Sequence, residues 1–155
     1  MVAHVSAPAT RFAAKVRPAG PEDFARMAEL AGELGYPAKP EEIARRIEGM
    51  KGSSEHAAFV AQLSGGEIAG WIGVFVYRAV EIDARAEVSA LVVDARFRSQ
   101  QVGLQLLERA EQWAREKGCH ATGLRSNVIR DRAHAFYERN GYKHHKTQKS
   151  FRKNL

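Results

Sequence analysis

Apolar residues recur along this chain with two periods, and the switch between them marks the elements. Residues 15–17 read as a short first strand. Pro21 then opens a helix with Glu22 and Asp23 in its first turn, where carboxylates suit the helix dipole. Phe24, Met27, Ala28, Leu30, Ala31 and Leu34 give that helix an apolar stripe, and Gly35 stops it. After the loop "GYPAKP", Pro40 and two glutamates open a second helix anchored by Ile43 and Ile47. The period then falls to two. "HAAFVAQLSGGEIAGWIGVFVYR" predicts a hairpin that reverses at Ser64-Gly65-Gly66. "AEVSALVV" predicts the next strand. Simple alternation puts Val88, Ala90 and Val92 on one face, and Glu87, Ser89, Leu91 and Val93 on the other.

Helical spacing returns after a basic turn. Val102, Leu106, Leu107, Ala110, Trp113 and Ala114 make a wide apolar face, with Glu111 and Arg115 as an i,i+4 pair on the outside. "HATGLRSN" predicts a strand, and "DRAHAFYERNGY" a helix with Asp131 as N-cap and Gly141 as terminator. The tail "KHHKTQKSFRKNL" is expected to add a final strand or two. Helices alternating with strands in the second half point to one mixed α/β domain over residues 15–155, preceded by a flexible extension over 1–14.

Composition changes this picture only at its edges. The 155 residues suffice for one domain, and 45% hydrophobic with 27% charged fits a soluble fold. A net charge of +6 favours a polyanionic ligand without choosing among nucleic acid, acidic membrane and phosphorylated small molecule. The positive charge is spread along the chain rather than gathered into a basic-aromatic stripe, which argues against nucleic acid. No apolar run approaches the roughly 20 residues that span a bilayer. The N-terminal stretch lacks the apolar segment of a secretory signal. A single cysteine, Cys119, excludes an intrachain disulfide and reads as core filler, and no metal-ligand spacing is present. A cytoplasmic setting is the expectation.

The basic turn "RFRSQQVG" carries the first candidate chemistry. Arg96 and Arg98 supply charge, and residues 99–104 present backbone N–H groups at a helix start, the usual cradle for an anion. Gly103 removes a Cβ from the path of a ligand. An ordinary solvated loop explains the same residues. Asn127 reads either as a turn former or as a ligand contact. Tyr137 reads either as a core tyrosine or as a proton donor.

Taken together, "ALVVD" followed by "RSQQVG", and then "SNVIRDRAHAFYERNGY", resemble the general-control-related N-acetyltransferase (GNAT) superfamily. The resemblance runs over residues 16–155 and is strongest over 87–142. It implies a mixed, mainly antiparallel central sheet of about six to seven strands flanked by four helices. It also implies acetyl-CoA as co-substrate. The pyrophosphate would lie on the N–H groups of Ser99, Gln100, Gln101, Val102, Gly103 and Leu104, flanked by Arg98, and the pantetheine arm would run beside Leu91, Val92 and Val93. Asn127 would bond the arm, and Arg130 or Arg132 would approach the phosphates. A backbone N–H near Leu91 or Val92 would meet the oxyanion, Glu87 would act as base from the face of Leu91 and Val93, and Tyr137 would protonate the departing thiolate. One departure stands out: Gln101 occupies the first glycine position of the motif. The expectation is that this position needs only a free N–H, in ordinary right-handed geometry.

The function implied is transfer of acetyl from acetyl-CoA to a primary amine by direct attack in a ternary complex. The acceptor is expected to be a small-molecule amine of the kind taken by aminoalkylphosphonate or aminoglycoside acetyltransferases, with a protein amine and a homodimer left open. The alternative is a non-catalytic acyl-CoA-binding regulatory domain, in which Gln101 marks lost chemistry. Acceptor choice would lie in "GELGYPAKPEEI" and "YRAVEIDARAE", where Glu81 and Asp83 could attract a cation.

Overall fold

In the computed structural model, which describes residues 14–98 and 100–155, the elements follow the sequence pattern closely. They run β1 (Lys15–Pro18), α1 (Phe24–Glu33), α2 (Pro40–Met50), β2 (His56–Gln62), β3 (Ile68–Tyr77), β4 (Arg85–Val93), α3 (Val102–Glu116), β5 (Thr122–Leu124) and α4 (Asp131–Arg139). The expected extension, apart from Ala14, and Ser99 of the basic turn lie outside the described residues. The chain divides into two compact units at Gly123/Leu124.

The first unit is built on a sheet of order β1-β2-β3-β4-β5. β1 to β4 pair antiparallel in chain order, and β5 joins β4 after the α3 crossover, with Ala86 N–H donating to Ala121 O at 3.0 Å. α3 covers one face. A Cβ on Gly70 would come within 2.6 Å of Val92 O and 3.2 Å of Leu106 Cδ1, so only glycine allows the helix this close. Leu106, Leu107, Ala110 and Val102 are buried against that face. Each buried leucine contributes roughly 1.5–3 kcal/mol, which fixes α3 and the turn before it. α1 and α2 cover the other face, where Met27, Ala28, Ile43, Val60 and Ile68 form one cluster with Trp71 packed against it. Arg17 secures the entry to α1 by donating to both carboxylate oxygens of Asp23 at 2.7 and 2.8 Å.

In the second unit, α4 begins at Asp131 with Arg130 at the N-cap position, so Asp131 is the first helical residue rather than the cap. Gly141 ends the helix at φ +89, and Tyr142 N–H closes back on Tyr137 O at 3.0 Å.

Two expectations fail here. The sheet has five strands among the described residues rather than six to seven, because residues 143–155 form neither strand nor helix. That tail has no apolar face to bury: Phe151 and Leu155 are both exposed. Second, the alternation along β4 breaks. Gly73 faces Ala90 and Val74 faces Val88, so Ser89 is an extra residue, a β-bulge. Cross-strand partners share a face, so Glu87, opposite Phe75, lies on the α1/α2 face, whereas Leu91, opposite Ile72, lies on the α3 face. Glu87 therefore does not share a face with Leu91 and Val93. Gly73 makes the room: a Cβ there would meet Ser89 Oγ at 2.5 Å.

Candidate active site

The turn after β4 is held by a buried carboxylate. Asp94 is 4% exposed, and its Oδ1 accepts from Arg96 N–H at 2.8 Å, starting a single 3-10 turn over Ala95–Phe97. Arg96 Nη2 donates to Asp94 Oδ2 at 2.8 Å and also meets Glu67, and Arg26 of α1 donates to the same Asp94 oxygen. The hydrogen bonds from Arg96, aided by Arg26, outweigh burial and hold the Asp94 carboxyl well below the usual carboxylate range. Arg96 thus spends its charge on Asp94 and Glu67, not on a ligand, contrary to the expectation from sequence. Arg98 is exposed. Neither Asp94, Arg26 nor Glu67 stood out in the sequence, because an acid and an arginine 68 residues apart leave no local pattern.

Gln101 precedes α3 at φ +63 and ψ 9, in the left-handed region. It is the one non-glycine residue with positive φ among the described residues. The expectation of right-handed geometry is therefore wrong: the position that carries glycine in the motif does require a positive φ, and glutamine takes it at a cost of roughly 1–2 kcal/mol. The benefit is geometric. The first intrahelical bond is Gln105 N–H to Gln101 O at 3.0 Å, so the N–H groups of Val102, Gly103 and Leu104 precede the helical ladder and face outward along the axis. Gln101 gives them no side-chain cap. Val102 is 1% exposed and anchors this end. Gln100 Oε1 is buried and, among the described residues, has no hydrogen-bond partner. A helix N-terminus that follows a left-handed turn presents free backbone N–H groups, an arrangement that suits an anionic ligand.

β4 also borders a cavity of about 540 Å³ on the α1/α2 face. Ser89 and Ala90, at the bulge, form one wall, and Trp71, Gly73 and Phe75 of β3 form the floor. Leu34, Tyr36 and Ile43, from the segment expected to choose the acceptor, line it, whereas Glu81 and Asp83 do not. An isolated glycine inside a strand often marks a bulge, so Gly73 was the available signal for this site. Glu87 points to the same face, buried, with Arg85 Nε donating to its Oε2 at 3.2 Å. A Cβ on Gly123 would lie 3.0 Å from that oxygen.

In the second unit, Asn127 Oδ1 accepts from Ile129 N–H at 3.2 Å, and Asn127 O accepts from Arg130 N–H at 3.0 Å, so the asparagine forms the turn that leads into α4. The Tyr137 ring meets Phe136 and Tyr142 edge-on, with centroids at 5.2 and 5.8 Å. Burial raises its phenol above the ordinary value, with Arg130 partly opposing. The group is thus protonated at neutral pH. Among the described residues no three His, Cys, Asp or Glu side chains gather into a metal site, and no helix is long and apolar enough to cross a membrane.

The chain resembles known proteins in sequence and fold. The chain is 39% identical over 82 residues to an aminoalkylphosphonate N-acetyltransferase from Salmonella typhimurium, covering 52% of this chain and 53% of that protein. It thus spans about half the length of that curated relative. A transcriptional regulator from Bacillus halodurans superposes with a TM-score of 0.76 at 27% identity, over 90% of this chain and 100% of that one. A glucosamine-6-phosphate N-acetyltransferase from Arabidopsis thaliana superposes at 0.77 with 24% identity, over 92% and 99%, a likeness of fold. The model of the acetyltransferase (GNAT) family matches residues 24–142, most of the chain, with β4, its turn and α3 inside that span. This chain belongs to the GNAT acetyltransferase family.

Proposed function

We propose that the protein transfers the acetyl group of acetyl-CoA to the nitrogen of a primary amine, by direct attack within a ternary complex. One observation carries the reading: a single strand, β4, borders an amine-sized cavity at its bulge and ends in an anion-type turn. In this reading the N–H groups at the head of α3 hold the pyrophosphate, with Arg98 beside them, and Leu91 to Val93 guide the pantetheine arm. The bulge leaves Ser89 without a cross-strand partner on β3 and bends the strand there, and in this reading a backbone N–H near Leu91 or Val92 meets the oxyanion.

The amine nitrogen attacks the thioester carbonyl, a C–N bond forms, the C–S bond breaks, and the thiolate takes a proton. An alkylammonium with pKa about 10.4 is neutral in only about a few molecules per thousand at pH 8, so removal of its proton matters. Glu87 is the base, directly or through water; its burial on the same sheet face as the cavity, outside the lining itself, supports this, although the alternation first used to choose it does not. Tyr137 supplies the proton to the thiolate, and its raised phenol keeps that proton available. Asn127 and Arg130 contact the CoA arm and phosphates.

The test is calorimetric titration with CoA alongside an assay of released thiol. Gly103→Val, which places a branched Cβ at the helix head, should weaken CoA binding by more than about tenfold, or roughly 1.4 kcal/mol. Unchanged binding in that variant would remove the turn as the phosphate site.

A further inference from the structure

The cavity chemistry narrows the acceptor. At about 540 Å³ it lies within the roughly 300–1,000 Å³ of small-ligand pockets. Apolar side chains make most of its wall, and Tyr36, Arg46, His56 and Ser89 are the polar residues that line it, besides the Trp71 indole, whose N–H donates to Met27 O. Among the described residues no carboxylate lines it. Its charged side chain is the guanidinium of Arg46, half-exposed and 4.0 Å from Glu42. Along β3, Trp71 and Phe75 flank Gly73 on the cavity face; the Ser89 side chain fills the space over Gly73, and His56 stacks on Phe75.

Two electrostatic consequences follow. Any ammonium beyond the reacting one would stand unpaired among apolar groups and near a guanidinium, which is costly. The reacting amine meets the opposite outcome: desolvation lowers the pKa of its ammonium and enlarges its neutral fraction, which is what attack requires. Resting on the acetyl-transfer reading, we infer that the acceptor is a monoamine carried on an apolar body, and that polycationic amines are rejected.

The experiment offers the full-length protein acetyl-CoA with 2-phenylethylamine, 2-aminoethylphosphonate, kanamycin or a lysine peptide, and follows thiol release. In parallel, 2-phenylethylamine is titrated against tryptophan fluorescence, which reports through Trp71 whether or not turnover occurs. The expected result is a kcat/KM for 2-phenylethylamine at least about 100-fold above the other three. Ile47→Asp, a carboxylate in the cavity wall, should lower that value at least about tenfold and leave CoA affinity unchanged. Preference for kanamycin, the phosphonate or the peptide would overturn the inference while leaving acetyl transfer standing. Saturable fluorescence change without thiol release from any amine would uphold the cavity and overturn acetyl transfer. Absence of both signals for 2-phenylethylamine would overturn the inference. The wild-type panel decides these outcomes even if the Ile47 variant does not fold.

Discussion

Replacing Gln101 by glycine should stabilise the protein, although glycine at a helix start ordinarily destabilises it. At φ +63 the glutamine Cβ crowds the backbone, at a cost of roughly 1–2 kcal/mol. Glycine removes that cost and adds unfolded-state entropy worth roughly 0.4–1 kcal/mol in the other direction. The net expectation is a gain of about 0.5–1 kcal/mol. In a chain of this length that moves the melting midpoint up by roughly 1–4 °C. Gln101→Ala keeps the Cβ and the strain, and should stay within about 0.5 kcal/mol of wild type. Urea unfolding monitored by the buried Trp113 on α3 reads both variants. CoA affinity of the glycine variant should change less than about threefold, because the N–H groups already hold their geometry. A glycine variant less stable than wild type, with a stabilised alanine variant, would place residue 101 in right-handed geometry and refute the argument.

Tyr137→Phe should lower kcat by about 10²–10⁴-fold with CoA affinity intact, measured by thiol release and calorimetry; wild-type turnover would leave Tyr137 a packing residue only. Glu87→Gln should slow the reaction most at low pH, where neutral amine is scarcest, and a pH–rate profile overlaying the wild type would place the base elsewhere. Asp94→Asn should cost about 1.5–3 kcal/mol at neutral pH by loosening the bonds to Arg96 and Arg26. Because the folded-state pKa of Asp94 is depressed, its contribution is full above the unfolded carboxylate pKa near 4 and is lost as pH falls below that value. The gap in stability between wild type and variant should therefore shrink from pH 6 to pH 3 in urea titrations.

The pattern of periods predicted every helix and strand of the first unit, because those elements bury one face each and burial writes itself into spacing. What escaped was set by non-local geometry. Ser89 breaks the parity of β4 only in relation to Gly73 on the neighbouring strand, which a single strand cannot reveal. Gln101 holds a left-handed angle that no local preference of glutamine suggests; the rest of the turn, tied down by Asp94 and Val102, imposes it. The tail was expected to add a strand or two, yet it has no apolar face to bury, and Phe151 and Leu155 lie exposed. The cavity was half legible: its α1–α2 rim was expected, but the β3 floor read simply as a core strand.

The bulge in β4 also separates two kinds of information that usually share the same residues. Nine residues of β4, Arg85–Val93, meet eight of β3, Gly70–Tyr77, and every cross-strand partner would be kept if Ser89 were deleted. The fold does not require that residue, since without it the strand would run regular and each side chain would keep its face. A one-residue deletion at 89 is therefore silent for the topology and decisive for the local curvature of the strand beside the cavity. Most insertions and deletions in strands shift a register and are removed because the protein no longer folds. Here a change of length at 89 would leave the register intact and alter the cavity wall that Ser89 forms.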